Sequence, residues 1–258
     1  MSGFIEKQAP AGIDWFQAVS EGLIDGYSIL EKFGVNPEIA ENSDPEDVWD
    51  GGGVYTFSTS ADIAEIASSN DNDTQDILIT GLNVNWIEIT QTVTLSGQTP
   101  IALSIPLIRV YRMINIGTAD ILGSVRLATT AAIWNNGVPT VETTVRAQIT
   151  DGNNQTLMCV YSVPAGKTAY FYGGYVSATN TSFFSSGAAI CSWRARPFGG
   201  VFAVQSKIGL MGAGNSTWSY AYKVPIAVNE KADILIRCEE VSETTGLSGG
   251  FTIVLKEN

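Results

Sequence analysis

Beyond residue 77 the chain alternates. In Ile87-Glu88-Ile89-Thr90-Gln91-Thr92-Val93-Thr94-Leu95 the odd positions are apolar except Gln91, and the even positions are Glu88, Thr90, Thr92 and Thr94. Successive side chains of a strand point to opposite faces, so a period of two predicts a half-buried strand. The pattern predicts further strands over about 107–116, 123–132, 141–149, 156–163, 168–176, 187–195, 200–210, 217–227, 232–240 and 250–256. Turn residues separate them: Gly97, Asn135-Asn136-Gly137, Asp151-Gly152-Asn153, Pro164-Ala165-Gly166 and Gly212-Ala213-Gly214. About ten short strands with no interleaved helix predict an all-β fold, an antiparallel, jelly-roll-like β-sandwich over 77–258.

The first 76 residues read differently. Ile13, Phe16, Val19, Leu23, Ile24, Tyr27, Leu30 and Phe33 recur near a period of 3.6 and predict a helix over 12–33. Gly22 and Gly26 weaken it; Gly34 and Pro37 stop it. Residues 36–53, rich in Asn, Pro, Asp, Glu and Gly, read as a linker, and residues 54–58 as a short strand. Residues 1–76 are therefore expected to form an attachment segment distinct from the sandwich.

Charge sharpens that division. The chain of 258 residues has a net charge of −12. Residues 1–76 carry 16 acidic and 2 basic side chains, whereas residues 77–258 carry 10 acidic and 12 basic ones. An acidic segment before a nearly neutral domain suggests a partner of its own. It argues against nucleic acid, whose backbone calls for clustered Lys and Arg. Only 16% of residues are charged and 45% are apolar, so part of the surface is expected to be covered in an assembly. The opening MSGFIEKQAP has no apolar signal core, and no apolar run is long enough to predict a membrane span.

Candidate chemistry is thin. The absence of histidine removes the usual Ser–His triads and the commonest zinc ligand. Cys159, Cys191 and Cys238 lie far apart among strand-like neighbours and read as buried thiols, one disulfide plus an odd thiol being the alternative. An EF-hand loop starting at Asp71 is excluded, because Asp76 and Leu82 stand where Gly and Glu are required. No acidic pair stands out for glycoside hydrolysis. No catalytic residue, metal site or cofactor is expected.

Three stretches suggest contacts. Asp47-Val48-Trp49-Asp50-Gly51-Gly52-Gly53-Val54-Tyr55 sets an acidic pair around a tryptophan, with Gly51, Gly52 and Gly53 as a hinge and Trp49, Asp47 and Asp50 as an anchor for a partner. The stripe Phe16, Leu23, Tyr27, Leu30 and Phe33 reads as packed on a partner or on the main domain rather than on a cofactor, and docking on another subunit is the expectation adopted. Tyr170 and Tyr172, with aromatics on both faces of their strand, predict that one face is covered. With Arg194 and Arg196, poised for an acidic partner, they form a candidate oligomer or glycan face.

A family resemblance joins these pieces. Lys32-Phe33-Gly34-Val35-Asn36-Pro37 and Glu46-Asp47-Val48-Trp49-Asp50-Gly51-Gly52-Gly53-Val54-Tyr55-Thr56-Phe57 resemble the start of virion structural proteins of tailed bacteriophages, especially from aquatic hosts. The resemblance continues through Gly81-Leu82-Asn83, Glu88–Pro100 and Arg109-Val110-Tyr111-Arg112-Met113. It recurs at Gln155–Met158, Val163–Tyr170, Arg196–Phe202 and Gly250–Leu255. Where such sequences often carry a histidine after Gly-Gly-Val-Phe, this chain has Gln205-Ser206-Lys207. The resemblance implies a component assembled in the host cytoplasm into a virion, as a capsid decoration, head–tail vertex or head-fibre protein. Its partners would be capsid, portal, neck or fibre subunits and further copies of itself, with no nucleic acid or membrane. A fibre-tip domain binding host glycan and, less in keeping with the residues, a polysaccharide depolymerase are the alternatives.

Overall fold

A computed structural model of the protein describes residues 9, 10, 12–41, 43–180, 186–213 and 215–258. One short helix, α1 (Trp15–Ser20), precedes the strands β1 (Tyr27–Ile39), β2 (Glu46–Asp47), β3 (Ile63–Ser68), β4 (Asp76–Leu82), β5 (Glu88–Thr94) and β6 (Ile101–Leu107). There follow β7 (Arg109–Asn115), β8 (Val125–Thr129), β9 (Trp134–Asn135), β10 (Val138–Pro139), β11 (Val145–Ile149) and β12 (Val160–Ser162). The longest strands close the chain: β13 (Lys167–Asn180), β14 (Ser186–Arg196), β15 (Ala203–Ala213), β16 (Asn215–Val228), β17 (Asp233–Val241) and β18 (Thr245–Glu257).

These strands build two antiparallel sandwiches. In the first, a sheet ordered β1-β18-β13-β16 faces a sheet ordered β12-β17-β14-β15, and β2 adds to β17. Phe171, Val176, Phe251 and Ile253 of one sheet meet Cys191, Trp193, Ile208 and Ile236 of the other in a common core. In the second, β11-β8-β3-β6 faces β5-β4-β7 around Ile66, Ile79, Leu107, Met113, Leu127 and Ile149. The second sandwich occupies the stretch between β2 and β12. The chain thus starts the first sandwich, builds the second and returns to finish the first. A small β9–β10 ribbon stands beside the second.

The antiparallel all-β architecture expected from the alternation is present. The N-terminal organisation differs from expectation. The helix predicted over 12–33 is confined to Trp15–Ser20, capped by Asp14, whose carboxylate accepts from the Phe16 and Gln17 amides at 2.9 and 3.4 Å. Gly22 and Gly26 both take positive φ, 73° and 76°, and turn the chain out of the helix. Residues 27–36 then pair with β18 in unbroken register from Tyr27↔Lys256 to Asn36↔Leu247. Long-range pairing outweighs a 3.6 spacing that holds few strong helix formers. The linker predicted over 36–53 is pinned likewise, through β2 on β17 at Arg237↔Asp47. The expected division at 76/77 is replaced by an insertion. Charge asymmetry describes the surface of the N-terminal residues, not their pairing.

A buried ion pair holds the sandwiches together. Arg109 on β7 donates to both Asp233 oxygens on β17, at 2.8 and 3.0 Å, and to the Ser58 carbonyl at 2.6 Å. Its guanidinium lies 4.7 Å from the Trp86 ring centre and 5.1 Å from that of Phe57. Gly34 on β1 marks a close crossing within the first sandwich. A Cβ there would sit 2.3 Å from the Cys159 amide nitrogen and 2.7 Å from the Val48 carbonyl oxygen, so three backbone segments meet at a point where no side chain fits.

Candidate functional site

The acidic, glycine-rich loop folds onto itself. Trp49 is 5% exposed, lies edge-on to Tyr55 at 5.2 Å, and donates through Nε1 to the Gly53 carbonyl at 3.3 Å. Its indole covers Gly51, where any Cβ would collide with it at 2.2 Å. Gly52 and Gly53 take φ of 69° and 63°, and the Gly53 amide donates to Glu46 at 2.9 Å. Asp47 is fully buried, accepting two bonds from Arg237 (2.7 and 2.9 Å) and one from the Tyr55 amide (2.8 Å). Asp50 is buried against the Leu157 amide, and burial pushes its carboxyl up to about 7. The expected anchor of Trp49, Asp47 and Asp50 is therefore turned inward, with Trp49 and Asp47 satisfied by this chain's own groups and Asp50 Oδ1 buried without a hydrogen-bond partner among the described residues. Gly51–Gly53 form a tight loop rather than a hinge between bodies.

The N-terminal stripe is split. Phe16 and Leu23 are partly exposed, with Phe16 edge-on to Tyr172 at 5.0 Å. Tyr27 packs against Trp15 at 5.6 Å, Leu30 joins the first core, and Phe33 lies under Arg112. Thus α1 covers part of the outer face of the β1-β18-β13-β16 sheet. At Tyr172 the outer face of the tyrosine strand is covered by Phe16 of this chain's own helix. Tyr170, next but one along the strand, is half-buried. Arg194 pairs with Glu239 at 2.8 Å and Arg196 with Asp233 at 2.5 Å, so both guanidinium groups are engaged within the chain. The structure does not bring these arginines and tyrosines into one face.

Besides a shallow hollow of about 610 Å³ lined by Trp49, the glycine loop and Arg126, two features stand open. The first is the free edge of the first sandwich. β15 ends one sheet and β16 the other, so among the described residues both have one unpaired side. Each carries a single lysine, Lys207 or Lys223, and no acid. Val224 is 78% exposed, Val201 just before β15 is 82% exposed, and Val204 and Tyr220 are also exposed. Trp218 stacks on Tyr220 at 5.7 Å, and Tyr220 meets Tyr222 edge-on at 4.7 Å. Trp218 and Tyr222 pack on the first core, so this ladder is not a flat sugar platform.

The second feature is a cleft of about 240 Å³ between β1 of the first sandwich and the β5-β4-β7 sheet of the second. Lys32, 9% exposed, donates from Nζ to the Tyr111 carbonyl at 2.5 Å; among the described residues no carboxylate lies within ion-pair distance, and the buried Asp50 acts on it from farther off. Burial pushes its ammonium down to about 8. The Tyr111 and Tyr161 rings lie 4.6 Å apart. Tyr111 Oη donates to the Ser162 carbonyl at 2.5 Å, whereas Tyr161 Oη, 2% exposed, has the Tyr111 hydroxyl as a neighbour that interacts with it but meets it in poor hydrogen-bond geometry. At the mouth Arg112 donates one bond, to Gln155 at 2.6 Å, and Glu31 and Glu88 stand opposite. No motif spacing marks these residues. The single sequence signal is Lys32, one of two basic residues in the acidic first 76 and set between Leu30 and Phe33.

The three cysteines are buried free thiols. Among the described residues no group of His, Cys, Asp and Glu is placed to hold a metal ion, and no helix is long and apolar enough to cross a membrane.

No protein-family model matches the chain, and no curated protein does. Among solved structures the chain overlaps the infectious bursal disease virus VP2 subviral particle over 90% of its length and 77% of that chain, at 10% identity and a TM-score of 0.21. It overlaps the structure of the Gt strain of the same virus over 95% and 78%, at 10% identity and a TM-score of 0.22. Overlaps at these scores do not establish a shared topology.

Proposed function

We propose that the protein is a structural component of a virion, of the tailed-bacteriophage kind its sequence resembles, and that it works by assembly rather than turnover. The observation that carries this reading is the free β15–β16 edge. Soluble proteins blunt long unpaired strands with charges, prolines and bulges, because such strands template pairing with another chain. Here two strands of 11 and 14 residues carry one lysine each, and the blunting is local: a bulge over residues 222–225 with Lys223 and Pro225 in β16, and a bulge at Gln205 in β15, with the rest of both strands free of proline. Exposed valines flank that edge where a solitary protein would place charge. Its natural cover is the same edge, or an adjoining face, of a second copy in a cyclic oligomer. The low charge density and the resemblance agree with this. Capsid decoration, a head–tail vertex or a head fibre would each use such a ring.

The test is incorporation. Particles made without the protein are mixed with wild-type chain or with the Val204→Lys, Val224→Lys double variant. Wild type is expected to bind and the variant, folded, to lose most binding. Equal binding by both, or none by wild type, contradicts the reading. Release of reducing ends from a host polysaccharide, abolished by one Asp or Glu substitution, would contradict the non-enzymatic part.

A further inference from the structure

The cleft between the sandwiches has features of a built site. Its inner wall is fixed by the Tyr111 and Tyr161 rings, tilted against each other at 31°, and by two strands from different sheets, so its groups are held in place. Those groups are mostly donors. Lys32 uses one of its three N–H bonds and Arg112 one of five. Tyr161 Oη is buried with no well-aligned partner. Asp50 acts on the Lys32 ammonium only from beyond ion-pair distance, and the Tyr111 hydroxyl serves Tyr161 only in poor geometry; buried groups so weakly partnered are costly, and a folded chain retains them where something else completes them. Glu31 and Glu88 at the mouth supply acceptors. The complementary molecule is small, with a carboxylate for Lys32 and Arg112 and hydroxyls for Tyr161 and the glutamates. The cavity volume suits one sugar ring.

We infer that this cleft binds a single acidic sugar unit, a polyhydroxy carboxylate of the uronic-acid class, with Lys32 and Arg112 on the carboxylate and Tyr161 on a ring hydroxyl. Its position at a junction of two sandwiches is where ligand sites commonly form. The inference goes beyond the assembly role and does not rest on it.

Ligand-observed NMR on the full chain tests it, using glucuronate, glucose, acetate and a short polyuronate. Glucuronate is expected to bind saturably, and glucose and acetate at least about tenfold more weakly, since each lacks one half of the recognised chemistry. The polyuronate distinguishes a glycan source from a free sugar acid: binding as tight as glucuronate's points to a glycan, and none to the free acid. Tyr161→Phe should weaken glucuronate about fivefold, and Arg112→Gln, at the exposed mouth, about tenfold or more. Absence of saturable glucuronate binding overturns the inference. So does equal binding of acetate, or wild-type affinity in both variants.

Discussion

At the residue scale, polar side chains in apolar surroundings show how far the sequence can be read. Gln91 interrupts the apolar face of its strand, and it is buried there all the same. Its amide donates to the Ile105 carbonyl at 2.8 Å and accepts from the Ile105 amide at 3.1 Å, joining β5 to β6. The alternation therefore assigned the right face, with Gln91, Val93 and Leu95 inward. Trp49 went the other way. A tryptophan among acids and glycines reads as an exposed anchor, and only the fold shows Arg237, 190 residues along the chain, neutralising Asp47. Trp49→Ala should cost about 3–5 kcal/mol in urea unfolding, because it empties a core position rather than a contact surface. Gly34→Ala should cost at least about 2 kcal/mol, since its Cβ would meet backbone that cannot move aside.

Lys32 gives a pH signature at the same scale. Its folded-state pKa lies below its ordinary 10.5, at about 8, with desolvation as the leading cause. Between these values the unfolded chain holds the proton more tightly, so the Lys32 contribution makes stability rise with pH from about 8 to 10.5. Below that window both states are protonated and the full burial cost is present. Urea midpoints for wild type and Lys32→Met should therefore differ most near pH 7, with the variant the more stable, and converge above pH 10. A gap that does not change with pH would contradict this account of Lys32.

At the element scale the strands were legible and their edges were not. Period-two patterning located most of β5–β18, because half-buried strands advertise their faces. β1 was hidden. It is an edge strand whose residues pack variously against α1, the core and the cleft, so Tyr27, Ile29, Leu30 and Phe33 mimic a helical spacing. Which strand ends a sheet depends on pairing order, and no local pattern encodes that. The β15–β16 edge is thus a finding of the fold. Val204→Lys and Val224→Lys should leave the thermal midpoint nearly unchanged, because exposed positions away from special contacts tolerate substitution. A large loss of stability on either change would show that these valines serve the sandwich itself.

At the scale of the whole molecule the interrupted first sandwich is the main departure from the sequence reading. The composition shift near residue 76 suggested a segment and a domain, whereas the structure has two sandwiches sharing one crossing chain. Nothing short of long-range contacts distinguishes these, since both give the same string of strands. The junction is where they cohere, through Arg109, Asp233, Trp86 and Phe57. Arg109→Met leaves Asp233 buried with less compensation, and should cost about 3 kcal/mol or more in global stability. Calorimetry should then show a split transition, the second sandwich unfolding apart from the first. A single transition at the wild-type midpoint would mean that the junction rests on other contacts.

The central claim is that the free edge of the first sandwich joins copies of this chain. Sedimentation velocity over a range of concentrations tests it most directly. Wild type should sediment as a discrete oligomer that dissociates on dilution, and the Val204→Lys, Val224→Lys double variant as a folded monomer throughout. A wild-type protein that stays monomeric at every concentration, or a variant that assembles as wild type does, contradicts it.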